Sequence, residues 1–373
     1  MNKKSTEPYL STYLHSKGKK LGLPISGNFE LTARCNFNCP MCYVHMTEEA
    51  VKASGRELTA QQWLDIAREA KDRGMIFVLL TGGEPVIRKD FFKIYKGMKE
   101  MGLMISVNSN GSMLKGDILE QFLEDPPIRF NISLYGGSNE TYKKMCGQSV
   151  YDEVKNNIRR LREAGVDVSL NLSITSFNRE DLKQIYADAV ELDVNVRVSS
   201  YMYPPIRVND EHYGCGNRLS AFEAARCSIE WDEIRLNDDE FMERAENISK
   251  RVNNNREGCP VEQGEGITCR AGSTSFWVTW DGKMMPCGMM TKPVVYPLEI
   301  GFNEAWDQIR QAAGQIRMPV ECTSCSYKDV CGVCAAVCFT ETGAFDGVPT
   351  YICEKTQNEV KMMEEAYLER KKR

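Results

Sequence analysis

Histidine is nearly absent from this chain. His15, His45 and His212 are the three in 373 residues, too few and too scattered for a histidine-built metal centre. Long apolar runs are missing too. Nothing approaches the roughly 18 consecutive apolar residues of a membrane-spanning helix, so no membrane partner is expected. Met1–Lys20 is polar and basic and has no apolar core of the secretory kind, which points to the cytoplasm. There is no excess of positive charge. The net charge of −5 gives no footing for a nucleic-acid surface. Internal repeats and low-complexity segments are also lacking.

Cysteine is plentiful. A reducing cytosol does not sustain the disulfides that fifteen cysteines could form, and most of these are clustered, as metal ligands are. Cys35, Cys39 and Cys42 share one short loop, Cys-Asn-Phe-Asn-Cys-Pro-Met-Cys-Tyr. Three thiolates there can hold three irons of a four-iron cluster. The fourth iron is left open to bind and reduce a ligand, which marks a catalytic site rather than a sealed structural one. A second group is dense from Cys259 to Cys353.

Six apolar, β-rich runs precede residue 200: about Asn28–Ala33, Met75–Leu80, Met104–Asn108, Arg129–Leu134, Asp167–Leu172 and Val194–Ser199. Helical patterns separate them, among them Ala60–Arg73, Phe91–Met101, Tyr151–Ala164 and Arg179–Leu192. The alternation predicts an α/β fold of parallel βαβ units, a curved sheet or partial (β/α)6 barrel with its chemistry after the strand C-termini. The three-cysteine loop follows the first strand. The expected organisation is an N-terminal extension over 1–28, the barrel over 29–200, a bridge over 201–258 that includes the helical Asp238–Asn254, a metal-stapled domain over 259–353, and a solvated helical tail over 354–373.

The cysteine loop resembles the signature of the radical S-adenosylmethionine (SAM) superfamily. After the second strand, Gly82-Gly83-Glu84-Pro85 is similar to the family segment that meets the amino group of SAM, and two glycines would let the backbone approach a ligand. Ser109 and Asn110 stand where the family has a Thr-Asn-Gly turn. Ser133 occupies the serine of a Ser-x-Asp-Gly motif, with Tyr135 replacing its aspartate. The arginine that meets the SAM carboxylate in some relatives has no counterpart at Lys144–Cys146. The resemblance implies a [4Fe-4S] cluster whose open iron is chelated by the amino and carboxylate groups of SAM. Reductive cleavage would give a 5′-deoxyadenosyl radical that takes hydrogen from an unactivated C–H bond.

The later cysteines are similar to a SPASM domain, an extension of such enzymes that binds two auxiliary [4Fe-4S] clusters. The resemblance assigns Cys269, Cys287 and Cys334 to the first, with Cys259 as fourth ligand, and Cys322, Cys325, Cys331 and Cys353 to the second. Only Gly332 and Val333 separate Cys331 from Cys334, one residue fewer than the usual pattern, and Cys338 competes as a ligand. Cys-x2-Cys pairs also build zinc ribbons, which keeps a zinc-stapled, non-redox binding module as a rival.

Cys146, Cys215, Cys227 and Cys338 remain. Cys146 is the candidate catalytic thiol, a hydrogen donor to a substrate radical as an epimerase requires. The leading expectation is an enzyme that oxidises, cross-links or epimerises a ribosomally made peptide or protein, with a flavodoxin or ferredoxin as electron donor. The short stretch before the first strand is expected to be too small for a winged-helix leader-binding domain. An epimerase or dehydrogenase of an aminosugar or nucleoside is the alternative.

Overall fold

The computed structural model describes residues 10–44, 46–206, 217–255 and 262–372. The strands are β1 (Ser26–Glu30), β2 (Phe77–Thr81), β3 (Met104–Ser109), β4 (Arg129–Ser133), β5 (Val168–Ser173), β6 (Asn195–Ser199), β7 (Ser275–Val278) and β8 (Met284–Met285). The chain divides into two compact units. One is Met1–Cys35, Met46–Asn108 and Ile267–Ile316; the other is Asn36–His45, Ser109–Gly266 and Arg317–Arg373.

In the first unit β1, β2 and β3 pair in parallel, with Phe29 opposite Leu80 and Leu80 opposite Val107. β7 joins the other side of β1 in parallel, and β8 turns back antiparallel on β7. Met284 and Met285, which form β8, are both buried. Alternation sorts the side chains of β1. Phe29 points into a core with Trp63 at 5.2 Å and Phe276 at 6.1 Å. Glu30, on the opposite face, accepts from Trp277 Nε1 at 3.0 Å. The helix Ala60–Asp72 starts at a capping box, Thr59 with Gln62, and buries Trp63, Ile66 and Ala67. The helix Leu10–Leu21, in the stretch expected only as an extension, sends His15 to Thr274 Oγ1 at 2.7 Å.

In the second unit β4, β5 and β6 pair in parallel, in the rows Asn131–Ser169–Asn195 and Ser133–Asn171–Arg197. The intervening row, Ile132–Leu170–Val196, is apolar. One face of these strands is therefore apolar and the other consists of hydrogen-bonding side chains. The helices Tyr151–Glu163 and Leu182–Glu191 carry a buried knot: Asp188 accepts from Tyr151 Oη at 2.6 Å and Lys155 Nζ at 2.8 Å.

The α/β fold with parallel strands is as expected, and the helix Asp238–Asn254 has the expected bounds. The tail differs. Its helix spans Thr350–Lys371 and is not simply solvated: Met363 is packed with Ile229, Phe241 and Ala245 from the helices Ala221–Arg235 and Asp238–Asn254. Its apolar residues are too sparse to advertise a buried stripe, but three helices share the burial. No helix among the described residues is long and apolar enough to cross a membrane.

Candidate metal and cofactor site

Cys35, Cys39 and Cys42 lie in the loop between β1 and the helix Glu48–Ser54. Cys39 is buried, Cys35 and Cys42 half-buried, and a turn joins Cys42 N to Cys39 O at 3.0 Å. In the first unit the chain leading into this loop is held rigidly. Gly83 N donates to Thr32 O at 2.7 Å and Glu84 N to Arg34 O at 2.9 Å. Arg88, buried, donates to Leu31 O at 2.8 Å and Leu58 O at 2.9 Å and pairs with Asp90 at 2.9 Å. The Arg34 guanidinium bonds Glu57 at 3.0 and 2.8 Å, which raises its already high pKa.

The two glycines have a reason the sequence did not reveal. A Cβ on Gly82 would stand 2.3 Å from Thr32 O, and one on Gly83 2.1 Å from Arg34 O. They let β2's continuation lie against the approach to Cys35, whatever ligand comes later. The N–H groups of Gly83 and Glu84 are used in that contact. An amino group arriving as a donor would therefore meet the carbonyl oxygens of this turn. Pro85 opens a short 3-10 turn and is buried, as is Glu84.

In the second unit Ser109 Oγ accepts from Gly111 N at 3.0 Å, and Asn110 bonds Asn36 and Ser112. Both of these expected SAM contacts thus also shape their own loop. Ser133 ends β4 half-buried, on the polar face with Asn171 and Arg197. Tyr135, the departure from Ser-x-Asp-Gly, meets Phe37 of the cysteine loop edge-on at 5.9 Å and Tyr142 at 5.8 Å. Lys144 pairs with Glu140 at 2.8 Å on the surface. Cys146 is 1% exposed, and its thiol donates to Tyr142 O at 3.0 Å. Burial pushes that thiol up to about 11, so it stays protonated at neutral pH. Its carbonyl accepts from Asn38 N at 3.1 Å.

The later cysteines show donor chemistry suited to a cluster. Tyr327 N points at Cys325 Sγ at 3.4 Å and Thr356 Oγ1 at Cys331 Sγ at 3.4 Å. In the first unit Met289 N points at Cys287 Sγ at 3.5 Å. Donors aimed at sulfur stabilise thiolate and tune cluster potential. The Cys331 and Cys353 thiols are both pushed up, first by burial and then by neighbouring cysteines, Cys322 and Cys325 among them. Cys338, buried, bonds Cys322 and is shifted strongly upward by that bond. Cys269 is exposed, Cys334 half-buried and Cys227 buried. Cys259, Cys215, His45 and His212 lie outside the described residues. Among the described residues no three His, Cys, Asp or Glu side chains converge on a single-ion position. Cluster thiolates each take a different iron, so the donor set fits a cluster without such convergence.

Residues 29–189 match the Radical SAM superfamily. This stretch is a radical SAM domain. Such a domain implies a [4Fe-4S] cluster and SAM, and the chain is an enzyme. It is 26% identical over 333 residues to an AdoMet-dependent heme synthase of Methanosarcina barkeri, covering 85% of this chain and 93% of the relative. It is 33% identical over 179 residues to a probable GTP 3',8-cyclase of Saccharolobus islandicus, but spans only 56% of that protein and 47% of itself. In fold it resembles anSMEcpe, solved with AdoMet and the Kp18Cys peptide, with a TM-score of 0.68 at 14% identity over 93% of this chain and 98% of that one.

Proposed function

We propose that this chain is a SPASM-type radical SAM enzyme that oxidises, cross-links or epimerises a ribosomally made peptide or protein. The match of residues 29–189 to the superfamily, with Cys35, Cys39 and Cys42 in the loop after β1, carries the reading. Those three thiolates would hold a [4Fe-4S] cluster, with SAM on its open iron. When bound, the pair supplies a 5′-deoxyadenosyl radical that takes hydrogen from an unactivated C–H bond. Carbonyls of Gly82–Pro85 would accept from the SAM amino group, and Ser109, Asn110 and Ser133 would line the rest of its site. Cys322, Cys325, Cys331 and Cys353 would hold one auxiliary [4Fe-4S] cluster. Cys269, Cys287, Cys334 and Cys259 would hold the other. A flavodoxin or ferredoxin would donate electrons. The domain division at about residues 28, 200, 258 and 353 belongs to the same proposal.

Cys146 takes a different part in this reading. A hydrogen donor must reach the substrate, whereas this thiol is buried and bonded within its own helix. Its carbonyl bond to Asn38 supports a role in holding the cysteine loop.

The peptide reading is supported by the likeness in fold to a peptide-bound enzyme over nearly the whole chain. It is also supported by the polar face of β4–β6, where Asn131, Asn171 and Arg197 suit amide and carboxylate groups. A second reading, a small-molecule substrate, is favoured by the similarity to a heme synthase over 85% of this chain. The test is an anaerobic assay with SAM and dithionite, supplied in turn with Ser- and Cys-containing peptides, nucleotides, aminosugars and tetrapyrroles. Peptide-stimulated 5′-deoxyadenosine formation supports the first reading; stimulation by the small molecules alone rejects it.

A further inference from the structure

Three polar side chains beside the cysteine loop form a closed ring. Asn36 Nδ2 donates to Ser112 Oγ at 2.9 Å, Ser112 Oγ to Asn110 Oδ1 at 2.7 Å, and Asn110 Nδ2 to Asn36 Oδ1 at 2.8 Å. Each member both donates and accepts, so the ring fixes the direction of every bond in it. Asn110 and Ser112 are 5% exposed. Ser112 N adds a bond to Asn110 Oδ1 at 3.0 Å, which closes a turn and stiffens the loop after β3. The same short stretch is tied twice more. Gln148 Nε2 donates to Asn36 O, and Asn38 N donates to Cys146 O.

Asn36 directly follows Cys35, and Asn38 directly precedes Cys39. The ties therefore fall between the first two cysteines of the loop. A loop that must present three thiolates to three irons pays entropy for every free torsion. Fixing Asn36 and Asn38 removes that freedom before the cluster arrives. Ligand geometry at metal sites is commonly set in this way by the hydrogen bonds behind the ligands.

We propose that the Asn36–Ser112–Asn110 ring is a brace for the first cluster. Its members are positioning residues that hold the ligand loop to the loop after β3 and so set how firmly the cluster is kept and what field it feels. This rests on the reading that Cys35, Cys39 and Cys42 bind a cluster, and it gives Asn110 a duty that does not require SAM. Removing any one member leaves a buried amide or hydroxyl short of a partner.

The test uses the anaerobically reconstituted full chain without SAM. Iron loss to a chelator and the EPR spectrum of the reduced protein are recorded, with the Cys35→Ala protein subtracted to isolate the first site. Asn36→Ala and Asn110→Ala should each speed iron loss from that site about 10- to 100-fold and alter its SAM-free EPR signal. The double variant should be little worse than either single one, because one broken link opens the ring. Ser112→Thr, which keeps the hydroxyl, should stay near wild type. Ser112→Ala carries the comparison if Asn36→Ala does not fold. The proposal is overturned if Asn110→Ala leaves iron loss and the SAM-free spectrum unchanged while weakening SAM binding alone, since Asn110 is then a ligand contact. A Cys35→Ala protein that retains all its iron overturns the reading beneath it instead.

Discussion

Gly83 shows how a single residue joins fold to site. Its missing side chain admits the Arg34 carbonyl, and its N–H anchors Thr32. Gly83→Ala should cost about 1–3 kcal/mol and reduce iron in the first loop, read by thermal melting and iron analysis. Gly314→Ala, where an added Cβ meets nothing within 4 Å, is the control and should melt like wild type or higher. His15 is buried against Thr274. Burial, with help from the charge of Arg270, lowers its pKa from 6.5 to about 4, so the folded chain keeps it neutral while the unfolded chain protonates it. Between these values the unfolded state binds more protons, and stability falls as pH drops from about 6.5 to 4. His15→Asn should flatten the pH dependence of the urea midpoint in that window; an unchanged slope would contradict the assignment.

At the scale of elements, the strands before residue 200 were readable because apolar β-branched runs alternate with amphipathic helices. The expected start of the first strand lay two residues late. Ser26 and Gly27 look like a turn, yet they pair with both Phe77–Val78 and Ser275–Phe276. No local pattern announces that a strand from residue 275 will join the first. The cysteine loop and the Gly-Gly turn were legible as chemistry, but their ties through Asn36, Arg88 and Glu57 are long-range and left no periodic trace. The tail helix looks solvated in sequence because its apolar residues are sparse, and its packing partners Ile229, Phe241 and Ala245 are distant in the chain. Met363→Ala should destabilise the chain by about 2–5 kcal/mol in denaturant titration. The same helix carries Cys353, so the variant should also bind less iron at the proposed second auxiliary site. A change below about 0.5 kcal/mol would mean that the helix is held by its charged face instead.

For the whole molecule, the proposed ligand sets require about twelve irons and as many sulfides per chain, three clusters of four. Replacing Cys322 and Cys325 with Ala should remove about four of each and leave the first site able to bind SAM. Bound zinc in place of that iron would favour the non-redox reading of the C-terminal cysteines. The most direct measurement is SAM cleavage. The reconstituted chain is reduced with dithionite under anaerobic conditions, given SAM, and analysed for 5′-deoxyadenosine and methionine. Radical SAM chemistry predicts both products in equal amounts, and neither from Cys35→Ala or Cys42→Ala protein. Intact SAM after incubation with a chain that carries its full iron would contradict it.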